Sequence, residues 1–142
     1  MTRSSLVMSA AAALVLAACG TEKGLPFDPG GPAPDPDATY TRVQAEIFTP
    51  SCALSGCHAG AAPQSGLDLS AGVAYQSIVG VPSVERADLN RIEPRDPERS
   101  YLVKKVRGDA DIAGSQMPLG GALTADEIGL LTDWVRRGAP RD

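Results

Sequence analysis

The chain has 142 residues, 13 basic and 17 acidic, and a net charge of −4. That length holds one modest domain, and the acidic balance excludes the cationic footprint of a nucleic-acid binder. The longest apolar run, Ser9 to Cys19, is too short for a spanning helix, which needs about 20 residues.

In chain order, the first feature is an address. Arg3 precedes the apolar, small-residue run Leu6 to Ala18, the outline of an export signal. The following Leu16-Ala17-Ala18-Cys19-Gly20 resembles the lipobox of bacterial lipoproteins. That resemblance implies a lipoprotein signal peptide over residues 1–18, cleaved before an acylated Cys19. An ordinary secretory peptide with a cysteine nearby is the alternative. Several acyl chains, at about 0.8 kcal/mol per buried methylene, would tether the chain to a membrane rather than thread it through. No acidic residue follows Cys19 directly, which by the lipoprotein sorting pattern implies the outer membrane, facing the periplasm or the cell surface. Removal of residues 1–18 leaves one histidine, His58, one methionine, Met117, and two free cysteines, Cys52 and Cys57.

Residues 19–38 read as a linker, because Gly20 to Ala38 holds five prolines, four glycines and little to bury. Residues 39–142 then show helical signals between Gly/Pro-rich loops. Thr41 and Gln44 predict a capping box that opens a helix through Val43, Ile47 and Phe48, with Pro50 ending it. Ser70 is placed to cap a second helix through Val73, Ala74, Ser77 and Ile78, stopped by Gly80. Asp96-Pro97 predicts the start of a third, through Leu102, Val103 and Val106 to Gly108. Thr124 and Glu127 open the last, with Ile128, Leu131, Trp134 and Val135 on one face and Gly138-Ala139-Pro140 as its stop. No alternating run is long enough for a sheet. The expected class is all-α: short helices and long loops, with so few aromatics that a large apolar prosthetic group would help to fill the core.

The chemistry-bearing segment is Cys52-Ala53-Leu54-Ser55-Gly56-Cys57-His58. Covalent haem attachment uses two cysteines followed directly by histidine, with two residues between the cysteines. Here four intervene, and the small Ala53, Ser55 and Gly56 allow such a loop to bulge. A Cys52–Cys57 disulfide in an exported protein stays open as an alternative. Zinc is short of ligands, since it needs about four. Asp109 and Asp111 are too few for calcium and read as a solvated loop. Asp126 and Glu127 are explained by helix capping. Met117 lies in a loop, Gly114-Ser115-Gln116-Met117-Pro118-Leu119-Gly120-Gly121, rather than at a periodic helical position where core methionines sit.

Taken together these residues resemble the small monohaem c-type cytochromes with histidine–methionine ligation. The shared features are a first helix with Phe48, the Cys52 to His58 motif, Met117-Pro118 in a loop, and a last helix with Trp134. The resemblance spans residues 40–142 and departs in the widened cysteine spacing. It implies a cytochrome c-like fold around one covalent haem c, attached through Cys52 and Cys57. It implies His58 and Met117 as axial iron ligands, and Ala45 where the first helix crosses the last. Arg91, Arg95 and Tyr101 are candidates for the haem propionates. With both axial positions filled, the implied role is one-electron transfer between redox partner proteins by a monomeric, lipid-anchored carrier and not an enzyme. Two other readings are a haem-free adaptor lipoprotein with a disulfide, and a haem site with methionine off the iron.

Overall fold

The computed structural model describes residues 32–142. The expected signal peptide, the lipidation site at Cys19 and most of the expected linker lie outside the described residues. Within them the chain is helix-rich and forms α1 (Tyr40–Val43), α2 (Ala74–Ile78), α3 (Tyr101–Arg107) and α4 (Ala125–Arg136). Extended backbone among the described residues is limited to isolated bridges such as Val79 with Ile92. None of these helices is long and apolar enough to cross a membrane.

The start of α1 differs from expectation. Its cap is Thr39, whose hydroxyl accepts from the Arg42 N–H at 3.2 Å. Thr41 instead binds Asp142, donating from both its backbone N–H and its hydroxyl to the Asp142 carbonyl. Pro50 does not end the helix either. After Val43 the backbone widens into a π-helical stretch, Gln44–Cys52, with Pro50 inside it. In α geometry a proline ring collides with the carbonyl four residues back, here that of Glu46. The wider winding relieves that collision, and the Ala53 N–H closes it by donating to the Phe48 carbonyl five residues back at 2.7 Å. The stretch thereby carries the chain on to a buried Cys52. Ala45 is exposed and so does not sit at a helix crossing.

The second helix is shorter than its pattern. Ser70 contributes only its carbonyl, to Val73 and Ala74, and α2 begins at Ala74 without a side-chain cap. The third splits in two. Asp96 Oδ1 accepts from the Arg99 N–H at 3.1 Å and caps a single 3₁₀ turn, Pro97–Arg99, before α3 restarts beyond Ser100. α3 ends as expected at Gly108, which takes φ +75°, a left-handed value that side chains disfavour. α4 has the full reciprocal capping box of Thr124 and Glu127, and Asp126 and Glu127 sit in its first turn, where the helix dipole favours acids.

The core joins α1 and its π continuation (Val43, Ile47, Phe48) to α3 (Val103) and α4 (Leu131, Trp134, Val135). Ile78 and Ile92 close it from the middle of the chain. Tyr40 meets Tyr75 edge-on at 5.2 Å and Trp134 at 5.7 Å. The packed body also takes in residues whose composition reads as linker. Ala38 is fully buried, its carbonyl accepts from Arg137, and the Asp35 N–H donates to Asp133 Oδ2.

Candidate functional site

One cavity of about 610 Å³ opens between the cysteine segment, α3 and the loop before α4. Its lining includes Cys52, Cys57, His58 and Met117, so residues up to 65 positions apart in sequence meet at a single concavity. Leu67, Leu69, Leu102 and Val106 supply apolar wall, while Leu54, Val84 and Leu119 stand exposed along its lining.

The cysteine segment is a closed loop. The His58 N–H donates to the Cys52 carbonyl at 3.2 Å, and the Cys57 N–H donates to that of Leu54 at 2.9 Å. Gly56 turns the chain at φ +81°, which a side chain would resist. The widened spacing is thus absorbed by a turn inside the loop, and both ends of the motif stay on one cavity. The two thiols are free and differ in setting, with Cys52 buried and Cys57 exposed. Burial pushes the Cys52 thiol up to about 11, with smaller help from the negative charges of Glu127 and Cys57.

His58 is tied down through its backbone, its carbonyl accepting from the Leu69 N–H at 2.8 Å. Its Nδ1 is buried without a hydrogen-bond partner. Leaving such a nitrogen unpaired costs about 1–3 kcal/mol, so it stands out where most buried polar atoms are paired. Met117 is half-buried on its loop, its N–H donating to the Lys105 carbonyl of α3 at 2.9 Å. The following bond to Pro118 is cis.

The three propionate candidates separate. Arg91 and Tyr101 line the cavity, whereas Arg95 lies beside Gly138 at the end of α4. Arg91 donates to the carbonyls of Ser77, Ser65 and Gly66, which braces the far wall. Asp109 and Asp111 face cations rather than an ion site. Lys104 reaches both, Arg107 pairs with Asp109 at 2.8 Å and Arg86 with Asp111 at 3.5 Å. Arg107 holds Asp109, and Lys104 holds Asp111, below the usual carboxylate range.

Glu85 and Lys105 are site residues that pattern reading missed. Lys105 is a buried cation paired with Glu85 at 3.2 Å. The signal was available in the spacing of Tyr101, Leu102, Lys105 and Val106, which puts a second lined face on α3 beside its core face. Among the described residues no three His, Cys, Asp or Glu side chains gather as a metal-binding group. A donor set of one imidazole and one thioether is not of that kind, and soft sulfur with imidazole suits haem iron. No protein-family profile, curated protein or solved structure matches this chain, so the site's own chemistry carries the functional argument.

Proposed function

We propose that the protein is a one-electron carrier with a single covalent haem c. Cys52 and Cys57 are the attachment residues, and His58 and Met117 are the axial ligands. The carrying observation is the convergence of those four residues on one largely apolar cavity, whose volume lies in the roughly 300–1,000 Å³ range of cofactor sites. Cys52 and Cys57 would hold the group through two thioether bonds. The group, when bound, supplies a reversible one-electron change at iron. The protein's share would be to hold it, to exclude water with Leu102 and Val106, and to offer His58 and Met117 as ligands to its iron. The apolar wall and the thioether both favour the ferrous state. With the lipobox-like Cys19, the reading is an exported, lipid-tethered cytochrome serving redox partner proteins at a bacterial membrane.

Expression of the full chain with a haem-attachment system tests this. Haem stain should survive denaturation, and spectra should be low-spin in both oxidation states. His58→Ala should abolish stable haem incorporation. Met117→Ala should keep covalent haem, lower the potential and admit carbon monoxide. A folded, colourless wild type with a Cys52–Cys57 disulfide would overturn the reading in favour of a haem-free adaptor.

A further inference from the structure

Residues 109–124, between α3 and α4, form a 16-residue loop rich in glycine that carries Met117. A loop of that length has many conformations available, and fixing each residue costs about 1–2 kcal/mol of entropy at 25 °C. Besides the ion pairs of Asp109 and Asp111, the structure ties the stretch before Met117 down at Ala113 from both sides. The Ala113 N–H donates to the Tyr101 hydroxyl at 2.9 Å, and the Ala113 carbonyl accepts from Lys105 Nζ at 2.8 Å. Tyr101 and Lys105 stand one turn apart on α3, and each is at least nine-tenths buried. Both meet the same carboxylate: the Tyr101 hydroxyl donates to Glu85 Oε2 at 2.9 Å, and Lys105 Nζ lies 3.2 Å from it. The Tyr101 hydroxyl thus both donates and accepts, and Lys105 Nζ has two oxygen partners. The clamp is continued by contacts to the α3 main chain, the Met117 N–H donating to the Lys105 carbonyl and the Gln116 side-chain Nε2 to that of Val106.

A buried lysine is expensive unless paired, and this one spends its charge on a loop carbonyl and a half-exposed carboxylate rather than on the core. All three side chains also line the cavity that Met117 lines. We propose that Tyr101 and Lys105, braced by Glu85, are positioning residues that hold Met117 at the cavity. The inference rests on the reading of Met117 as an iron ligand. Its content is that ligand retention is set by polar contacts to Ala113, four residues away, and not by packing of the thioether alone.

The test compares wild type, Tyr101→Phe, Lys105→Met and the surface control Glu98→Gln as haem-loaded full chains. Tyr101→Phe keeps the ring, so it separates the hydroxyl from packing. Its loss should raise carbon monoxide affinity of the reduced protein about tenfold, the equivalent of one buried hydrogen bond at about 1.4 kcal/mol. It should also weaken the methionine-to-iron charge-transfer band, with covalent haem content unchanged. Lys105→Met should do the same, more strongly, and Glu98→Gln should do neither. Wild-type bands and carbon monoxide affinity in both Tyr101→Phe and Lys105→Met would overturn the proposal. Amide exchange over residues 113–117 gives a readout that needs no haem and should accelerate about tenfold in Tyr101→Phe. Should the wild type take up no haem, the proposed function fails, while unchanged exchange in Tyr101→Phe would overturn the clamp by itself.

Discussion

Cys52 and Cys57 differ by five positions in sequence and by their whole environment in the fold. Burial holds the Cys52 proton on, moving its titration from 9.0 to about 11. The folded chain thus binds that proton more tightly than the unfolded chain does. The resulting stability is complete below about pH 9 and drains away as pH rises toward 11, by about 2–3 kcal/mol. Denaturant melts of the haem-free chain at about pH 8 and pH 10.5 should show this loss, and Cys52→Ala should remove that part of it. A thioether has no proton to lose, so the haem-loaded chain should lack the same component. An identical alkaline slope in Cys52→Ala would mean that the thiol is hydrated. The raised titration also lowers the thiolate fraction about 100-fold at neutral pH, which slows disulfide formation through Cys52.

At the scale of elements, the decisive pieces are those that depart from ideal helices. The π-helical stretch carries Pro50 without a break and sets down Cys52 at the edge of the core. α3 presents two faces, Val103 to the core and Lys105 to the cavity and the Met117 loop. Its left-handed terminus at Gly108 lets the loop fold back so closely that a Cβ there would lie 2.7 Å from Gln116 Oε1. Gly108→Ala should therefore destabilise the protein by about 1–2 kcal/mol through backbone strain, read by denaturant unfolding. It should also disturb Gln116, visible as faster exchange in the loop that follows. A neutral substitution would show that the flexible Gln116 side chain moves aside and that the terminus tolerates a side chain.

For the whole molecule, the core and the cavity meet along Cys52, Leu69 and the α3 residues Leu102 and Val106. Trp134 anchors the first: it is fully buried, lies tilted against Tyr40, and donates from Nε1 to the Pro140 carbonyl at 2.9 Å. Trp134→Ala should cost about 3–5 kcal/mol in unfolding free energy, a large fraction of a small domain's stability. A loss below about 1 kcal/mol would mean that the neighbouring helices collapse into the space. Chain ends and core are coupled as well, since Asp142 receives Tyr40 and Thr41 while Arg137 reaches Ala38. None of those residues lines the cavity. The stretch leading from the expected lipid tether therefore joins the body on the α1 and α4 side.

Much of this was legible in residue order, because local rules act over a few positions. The Thr124–Glu127 capping box, the apolar face of α4 and the glycine stop of α3 each depend on neighbours within one turn. The candidate site was legible through scarcity, since His58 and Met117 stand almost alone in their residue types and sit in chemically telling surroundings. What residue order left open was set by long-range contact. Thr41 is a better partner for Asp142 than a cap for its own helix, and Pro50 survives because winding changes under the pull of a buried Phe48 and Cys52. Arg95 and Arg91 look alike in sequence, yet only Arg91 reaches the cavity wall. The Ala113 clamp joins three segments, and no local pattern encodes it. The sequence by itself determined a small helical domain and the identity of its scarce soft-donor side chains. Only the tertiary structure decided that those side chains share one cavity, because burial and the pairing of polar groups are settled between segments distant along the chain.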